Sequence, residues 1–94
     1  MSSPKISVII VNYNGKKLLE KCLESLFKTD YNNFEVILVD NNSTDGSMEF
    51  VTKNYPKIIV IKLDSNKGFA EPNNIGVKIA KGEYLLFLNN DTVT

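Results

Sequence analysis

The sequence predicts an α/β fold, a doubly wound and mostly parallel sheet of the Rossmann-like kind, with elements in the order β-α-β-α-β-α-β. Four short apolar runs, at residues 6–11, 36–39, 58–61 and 84–88, have almost no polar alternation. Runs of this kind are typical of strands that are covered on both faces. Segments with helical periodicity separate them, and such alternation indicates a parallel sheet with helical crossovers.

The first helix is predicted between the first two runs, where apolar residues recur at helical spacing and form one stripe. Asn14 precedes this stripe and is the predicted N-cap. Cys22 lies inside the stripe and is interpreted as a small buried apolar side chain. The stripe consists of Leu18, Leu19, Cys22, Leu23, Leu26 and Phe27.

Two further helices are predicted from their capping signals. The second begins with Ser43 or Thr44 as its cap and ends before Pro56; its inward residues are Met48, Val51 and Tyr55. The third begins near Pro72, which suits a first helical turn, and ends at Gly82; its inward residues are Ile75, Ile79 and Ala80.

The composition excludes several classes of function. The formal net charge of the 94 residues is zero, so we expect no nucleic acid partner. One cysteine and no histidine exclude an internal disulfide, a zinc site and histidine acid–base catalysis. The longest apolar run is about five residues, against the ~20 that span a bilayer. The N-terminus has no signal-peptide pattern, and a cytoplasmic location is the expectation.

Polar residues follow each apolar run, at residues 12–15, 40–43, 64–69 and 89–92. In doubly wound sheets ligands bind at the carboxyl ends of the strands. Asp40 has two interpretations, a turn carboxylate that accepts backbone N–H groups or an acceptor for the N3–H of a pyrimidine base. Asp91, with Asn89 before it, is either a strand-end turn or an oxygen ligand for Mg²⁺ or Mn²⁺ on a diphosphate.

Common nucleotide motifs are missing from the sequence. Neither Gly-x-Gly-x-x-Gly nor Gly-x-x-x-x-Gly-Lys-Ser/Thr occurs. A receiver domain would need an acidic pair after the first strand, where Asn12 and Tyr13 stand.

Taken together, the four polar segments and the runs before them resemble the family-2 inverting glycosyltransferases. The matching stretches are residues 7–15, 34–47, 66–76 and 82–92, in order and across the whole chain. The rhamnosyltransferase-like branch looks most similar, because it too carries Asn-x-Asp-Thr after the fourth strand. The resemblance implies the N-terminal half of a glycosyltransferase A-type fold, with strand order 3-2-1-4.

The resemblance also implies roles for individual residues. Tyr13 flanks the base, Asp40 accepts from it, and Asp91 with Asn89 holds an Mg²⁺ or Mn²⁺ ion that bridges the diphosphate. Gly68 lets its loop approach the nucleotide, and Asn73 or Asn74 contacts ribose or phosphate. The full set for the nucleotide sugar is Val11, Asn12, Tyr13, Asp40, Asn42, Gly68, Asn73, Asn74 and Asn90.

Two positions depart from the family pattern. The usual Asp-x-Asp is Asn89-Asn90-Asp91 here, and the loss of one carboxylate predicts weaker metal binding. Glu71-Pro72 stand where the family usually has Gly-Gly, which predicts a different closure of the loop on the donor.

We therefore expect residues 1–94 to form the donor-binding portion of an enzyme of cell-surface polysaccharide biosynthesis. The donor would be a UDP- or dTDP-linked sugar, and the acceptor a glycan or lipid-linked glycan. The acceptor-binding half and the catalytic base are expected to come after residue 94, so residues 1–94 alone are expected to be inactive. The full protein could associate with a membrane. A non-catalytic nucleotide-binding module and a nucleotidyltransferase stay open as alternatives. The fourth strand lies at a sheet edge in this order and predicts a homodimer.

Overall fold

The computed structural model describes residues 5–28, 33–68 and 70–89. A four-stranded sheet has the order β3-β2-β1-β4, and every neighbouring pair of strands is parallel. The fold class and strand order are therefore as predicted. Among the described residues, no helix combines the length and apolar character needed to cross a membrane. The elements are β1 (Ile6–Asn12), α1 (Lys16–Phe27), β2 (Phe34–Asp40), α2 (Ser47–Asn54), β3 (Ile59–Lys62), α3 (Ala70–Ile79) and β4 (Tyr84–Asn89).

Helices cover both faces of the two central strands. On one face, alternate residues of β1 and β2 pack against α1 and α2 in a single buried cluster. On the other face Ile9 lies against Gly76 of α3, where an added Cβ would be 2.7 Å from Ile9 Cγ2. The buried cluster contains Val8, Ile10, Leu19, Leu23, Val36, Leu38, Met48, Val51 and Ile58.

The edge strand β4 is much less covered than the apolar run predicts. Four consecutive side chains from Tyr84 to Phe87 are between 43% and 58% exposed. Coverage on both faces is thus confirmed for β1 and β2 and wrong for β4 and for the other edge strand, β3, where Ile59 is 38% exposed. The described part of β4 pairs with β1 along its length.

The predicted starts of the first two helices are wrong. Gly15 is the N-cap of α1, while Asn14 has a left-handed φ of 49° and accepts a hydrogen bond from Thr44 N at 2.7 Å. Helix α2 begins at Ser47 after Gly46, which has a φ of 85°. Ser43 cannot cap α2 because its hydroxyl bonds Asp40 instead.

Helix α3 contains Pro72 in its first turn, as predicted, but it ends at Ile79 rather than at Gly82. Its buried residues are Pro72 and Gly76, while the predicted inward residue Ile79 is 37% exposed. Ile75 and Ala80 are half-buried. The missing side chain of Gly76 lets the helix backbone approach the sheet, so the contact face is centred there.

A polar network ties the α3–β4 connection to the amino ends of β1 and β2. The Ser7 hydroxyl donates to Glu35 Oε2 at 2.5 Å and accepts from Gly82 N at 2.7 Å. Lys81 N donates to the same Glu35 oxygen at 2.7 Å, and Lys5 Nζ lies 3.8 Å from the other. Burial acts to raise the pKa of Glu35, but these hydrogen bonds and lysine charges outweigh it and lower the pKa. Glu35 therefore stays ionised as a fixed acceptor.

Candidate functional site

The carboxyl ends of β1, β2 and β4 meet at one edge of the sheet. Asn12 is in register with Asp40, and Val11 is in register with Asn89. The chain winds to β2 on one side of β1 and to β4 on the other, so this edge contains the switch point where such sheets bind ligands. The predicted site residues of β1 and β2 are thus brought together.

Asp40 is fully buried at this edge, and its carboxylate already has partners within the protein. Oδ1 accepts hydrogen bonds from Asn12 Nδ2 at 2.8 Å and from Ser43 Oγ at 2.6 Å. Oδ2 accepts one from Ser43 N at 2.7 Å. The carboxylate therefore folds residues 40–43 into a turn and fixes that turn against β1.

A second set of hydrogen bonds joins the loop after β1 to the loop after β2. The Ser43 hydroxyl accepts from Asn14 N at 2.8 Å and from Asn12 Nδ2 at 3.1 Å. Asn41 N donates to the Asn12 carbonyl at 2.8 Å. Because these bonds span about thirty residues of sequence and are partly buried, the two loops form one rigid surface.

The loop after β3 is attached to this surface through Asn41, which is 3% exposed. Its Nδ2 donates to the Gly68 carbonyl at 2.8 Å, and its Oδ1 accepts from Lys67 N at 3.1 Å. Gly68 has a φ of 79°, and its N–H donates to Asn66 Oδ1 at 2.9 Å. The predicted nucleotide loop thus reaches the same edge as the loops after β1 and β2.

Asp45 connects the amino ends of α1 and α2. Its Oδ2 accepts from Lys16 N at 3.0 Å, and its Oδ1 accepts from Ser47 N at 3.0 Å and from the Ser47 hydroxyl. Burial acts to raise the pKa of Asp45, but the hydrogen bonds from Ser47 and Lys16 outweigh it and lower the pKa. An ionised carboxylate therefore satisfies orphan N–H groups of both helices.

The remaining predicted residues differ in their exposure, and therefore in their accessibility to a ligand. Tyr13 is 51% exposed, and Asn42 and Gly68 in the loops after β2 and β3 are also exposed. Val11 is buried, so only its backbone can shape a pocket. On α3, Asn74 is exposed and Asn73 is half-buried. A ligand at this edge would meet mainly Tyr13, Asn42 and the loop backbone.

The predicted metal ligands fall largely outside the described residues. Asp91 and Asn90 lie there, and Asn89 is described only as the last residue of β4. Its register with Val11 brings the chain to the same edge as the other loops. Within residues 5–28, 33–68 and 70–89, no three acidic, cysteine or histidine side chains form a group that could hold a metal.

Sequence reasoning missed Asn41, Ser43 and Asp45 as organisers of the edge. Ser43 was assigned to a helix cap, although its spacing three residues after Asp40 is also that of a side-chain turn. Asn41 carried no signal beyond its place in a polar segment. Asp45 precedes Ser47 by two residues, which is the spacing of a side-chain turn just before the start of α2.

Comparison with known proteins gives a consistent set of relatives. The sequence model of the family described as Glycosyl transferase family 2 matches residues 7–94. A poly(ribitol-phosphate) beta-glucosyltransferase from Bacillus spizizenii is 42% identical over 96 residues, covering 93% of this chain and 15% of that protein. The chain thus spans a small part of this relative.

Solved structures agree with the sequence comparison. Residues 1–349 of TarS from S. aureus, in complex with UDP-GlcNAc, match with a TM-score of 0.85 and 39% identity, over 93% of this chain and 26% of that one. A mannosyltransferase from Pyrobaculum calidifontis in complex with GDP-Man and Mn²⁺ matches with a TM-score of 0.85 and 28% identity, over 96% of this chain and 28% of that one.

Proposed function

Because the chain belongs to glycosyl transferase family 2, we propose that it binds the donor of an enzyme that transfers a sugar from a nucleoside-diphosphate sugar to an acceptor hydroxyl with inversion. The observation that carries the proposal is the rigid polar edge built by Asp40, Ser43 and Asn41, with Tyr13 exposed on it. The resemblance to a protein solved with UDP-GlcNAc supports it. The rhamnosyltransferase-like branch stays a prediction.

In this proposal the base lies against Tyr13, whose exposed ring offers a flat apolar surface. Asp40 contributes in one of two ways, as a direct acceptor for the base N3–H or as the anchor of the turn that shapes the pocket. Its complete burial and its three internal hydrogen bonds favour the anchor. Asn12 and Val11 shape the floor, and the donor is a UDP- or dTDP-linked sugar.

The diphosphate is proposed to lie between the loop of Gly68 and the end of β4. A divalent cation there, Mg²⁺ or Mn²⁺, would offset charge on the leaving nucleotide. Asp91 would ligate it, with Asn89 supplying an amide oxygen, since carboxylate and amide oxygens suit these hard cations. The Mn²⁺ in the mannosyltransferase complex supports this choice. Asn73 or Asn74 would contact ribose or phosphate, and Asn42 and Asn90 would contact other parts of the nucleotide sugar. The acceptor would be a glycan or lipid-linked glycan.

We expect the 94-residue chain to bind UDP, and Mn²⁺ to strengthen the binding. Replacing Tyr13 by alanine removes the ring against the base and is expected to weaken UDP binding about ten-fold. Asp91→Ala is expected to abolish the effect of Mn²⁺ while leaving metal-free binding unchanged. Titration calorimetry measures both effects.

Tyr84→Ala is the matched control, because Tyr84 is 58% exposed at the amino end of β4, away from the edge. It should bind UDP as the wild type does. If UDP at millimolar concentration with Mn²⁺ gives no binding to the wild type, the proposed function is wrong. If Tyr13→Ala and Tyr84→Ala bind equally, the base does not lie against Tyr13.

We also propose that β4 pairs with a second copy of the chain. Its exposed segment, residues 84–87, contains no lysine, proline or bulge of the kind that blunts an edge strand. An apolar groove of about 420 Å³ lies beside it. Residues on the groove wall come from β1, α1, β2 and β4 and include Ile6, Val8, Cys22, Leu26, Leu86 and Leu88.

Replacing Leu86 by lysine should shift the dimer toward monomer, because the charge would be buried at the new interface. Sedimentation velocity over a range of concentrations measures this shift. Ile59→Lys is the control, since Ile59 is 38% exposed on the opposite edge strand and should leave the dimer intact. A wild-type chain that stays monomeric at high concentration would contradict the proposal.

A further inference from the structure

The loop at residues 64–68 follows β3 without regular secondary structure, so its position depends on side-chain contacts. At its start, Leu63 N continues the ladder by donating to the Asp40 carbonyl at 2.8 Å. Within it, the bond from Gly68 N to Asn66 Oδ1 only closes a local turn. The Lys67 ammonium lies 3.7 Å from Asp64 and 4.0 Å from Glu71, in pairs whose acidic partners are well exposed and add little.

Asn41 is placed differently from all of these groups. It is buried just after β2, and its two hydrogen bonds are to Lys67 and Gly68, which follow it in the sequence by 26 and 27 residues. The partners fix the orientation of the carboxamide, because Lys67 N–H requires an acceptor and the Gly68 carbonyl requires a donor. The two ends of one rigid group therefore hold backbone groups of two adjacent loop residues.

We propose that Asn41 is a positioning residue that fixes the 64–68 loop against β2 and thereby sets the affinity of the edge for a nucleotide. The second clause rests on the proposed function, in which this loop contacts the diphosphate. Only an amide of this length can both donate and accept here. An aspartate would keep the acceptor for Lys67 N but would place a carboxylate oxygen 2.8 Å from the Gly68 carbonyl, where two acceptors repel.

The test combines amide hydrogen exchange with UDP titration on the whole 94-residue chain. In Asn41→Ala, exchange at Lys67 N–H should become roughly two- to twelve-fold faster without nucleotide, which is the factor that a hydrogen bond of this kind contributes. Exchange at Leu63 N–H should not change, because its bond to Asp40 remains. UDP affinity should fall about ten-fold, since two such bonds are lost.

Asn41→Asp gives a second, distinct pattern. Lys67 N–H should stay protected, because its acceptor is retained, while UDP affinity should still fall. Asn54→Ala is the control, since it removes a side-chain amide bond of similar length, from Asn54 Nδ2 to the Phe50 carbonyl at 2.9 Å, on α2. Its affinity for UDP should equal that of the wild type.

The outcomes separate this inference from the proposed function. Unchanged Lys67 exchange in Asn41→Ala would show that Asn41 does not hold the loop, whether or not UDP binds. Faster exchange with unchanged affinity, or wild-type affinity in Asn41→Asp, would show that the loop position does not set binding. A wild-type chain that binds no UDP would overturn the proposed function and the affinity clause, while exchange would still decide the role of Asn41 in the loop.

Discussion

Replacing Gly82 by alanine is expected to lower the free energy of unfolding by about 3 kcal/mol, because there is no room for a methyl group. An added Cβ would lie 2.6 Å from both Ser7 N and Ser7 Oγ and 2.9 Å from the Ile6 carbonyl carbon. Two of these three atoms belong to the backbone of the central strand β1, which cannot move without disturbing its pairing with β2 and β4. The variant would also push away the Ser7 hydroxyl that joins Gly82 N to Glu35. Urea denaturation followed by circular dichroism measures the loss.

Gly46→Ala is the matched control for this prediction. Gly46 has a φ of 85°, but the nearest atom to an added Cβ is Lys16 Nζ at 3.8 Å. Alanine there has space and only the strain of the left-handed conformation, about 1–2 kcal/mol. Gly82 has no left-handed φ, so its cost comes from space alone. A smaller loss in Gly82→Ala than in Gly46→Ala would show that β1 and the α3–β4 connection are not packed so closely.

The strands could be predicted from the sequence because a strand that is buried on both faces consists of consecutive apolar residues. Ile9 and Ile10 face opposite sides of the sheet and are both fully buried, so the run of β1 contains no polar alternation. The same pattern misled at β4, where Leu86 and Phe87 are as apolar and yet half-exposed. An apolar run shows that a strand is suited to burial on both faces. Whether it is buried depends on the helices and strands that pack against it.

The positions of the loops could be predicted from the sequence, but their hydrogen bonds could not, because each polar residue has several possible partners. Asn14, Ser43 and Asp45 are all residue types that suit helix caps, but the N-caps are Gly15 and Gly46. Asp45 accepts from Ser47 N from the position before Gly46. Ser43 bonds Asp40 and Asn14 instead, and the bond to Asn14 spans 29 residues. Local spacing contains no information on such contacts, since they depend on which strands become neighbours.

The predicted residues of β1 and β2 lie together at one edge of the sheet, as expected, but their individual contacts could not be predicted from the sequence. Tyr13 is exposed as a binding residue should be, whereas Asp40 is fully buried. The sequence left both interpretations of Asp40 open, since a turn carboxylate and a base acceptor occupy the same place after a strand. Distances from Asp40 to Ser43 and Asn12 now favour the first interpretation.

Replacing Asp40 by alanine is therefore expected to destabilise the chain by about 3 kcal/mol, as well as to weaken UDP binding. The change leaves Asn12 Nδ2, Ser43 Oγ and Ser43 N without the carboxylate to which they donate. Asp40→Asn should lower the free energy of unfolding by nearly as much, although the asparagine and aspartate side chains are equal in size. Each carboxylate oxygen receives at least one donor, so the new NH₂ group must face another donor whichever way it turns. Equilibrium unfolding in urea measures the stability, and calorimetry well below the unfolding midpoint measures the affinity.

Asp64→Ala is the control, because Asp64 also follows a strand but its side chain is 93% exposed. Its free energy of unfolding should lie within about 0.5 kcal/mol of the wild type. The comparison separates the two roles of Asp40, since an anchor and a direct acceptor predict different combinations. If Asp40→Ala is as stable as Asp64→Ala and yet loses UDP binding, Asp40 contacts the base directly and the hydrogen bonds to Ser43 and Asn12 are incidental. A large loss of stability, with affinity falling alike in Asp40→Ala and Asp40→Asn, identifies the anchor, because both variants release the turn on which the pocket is built.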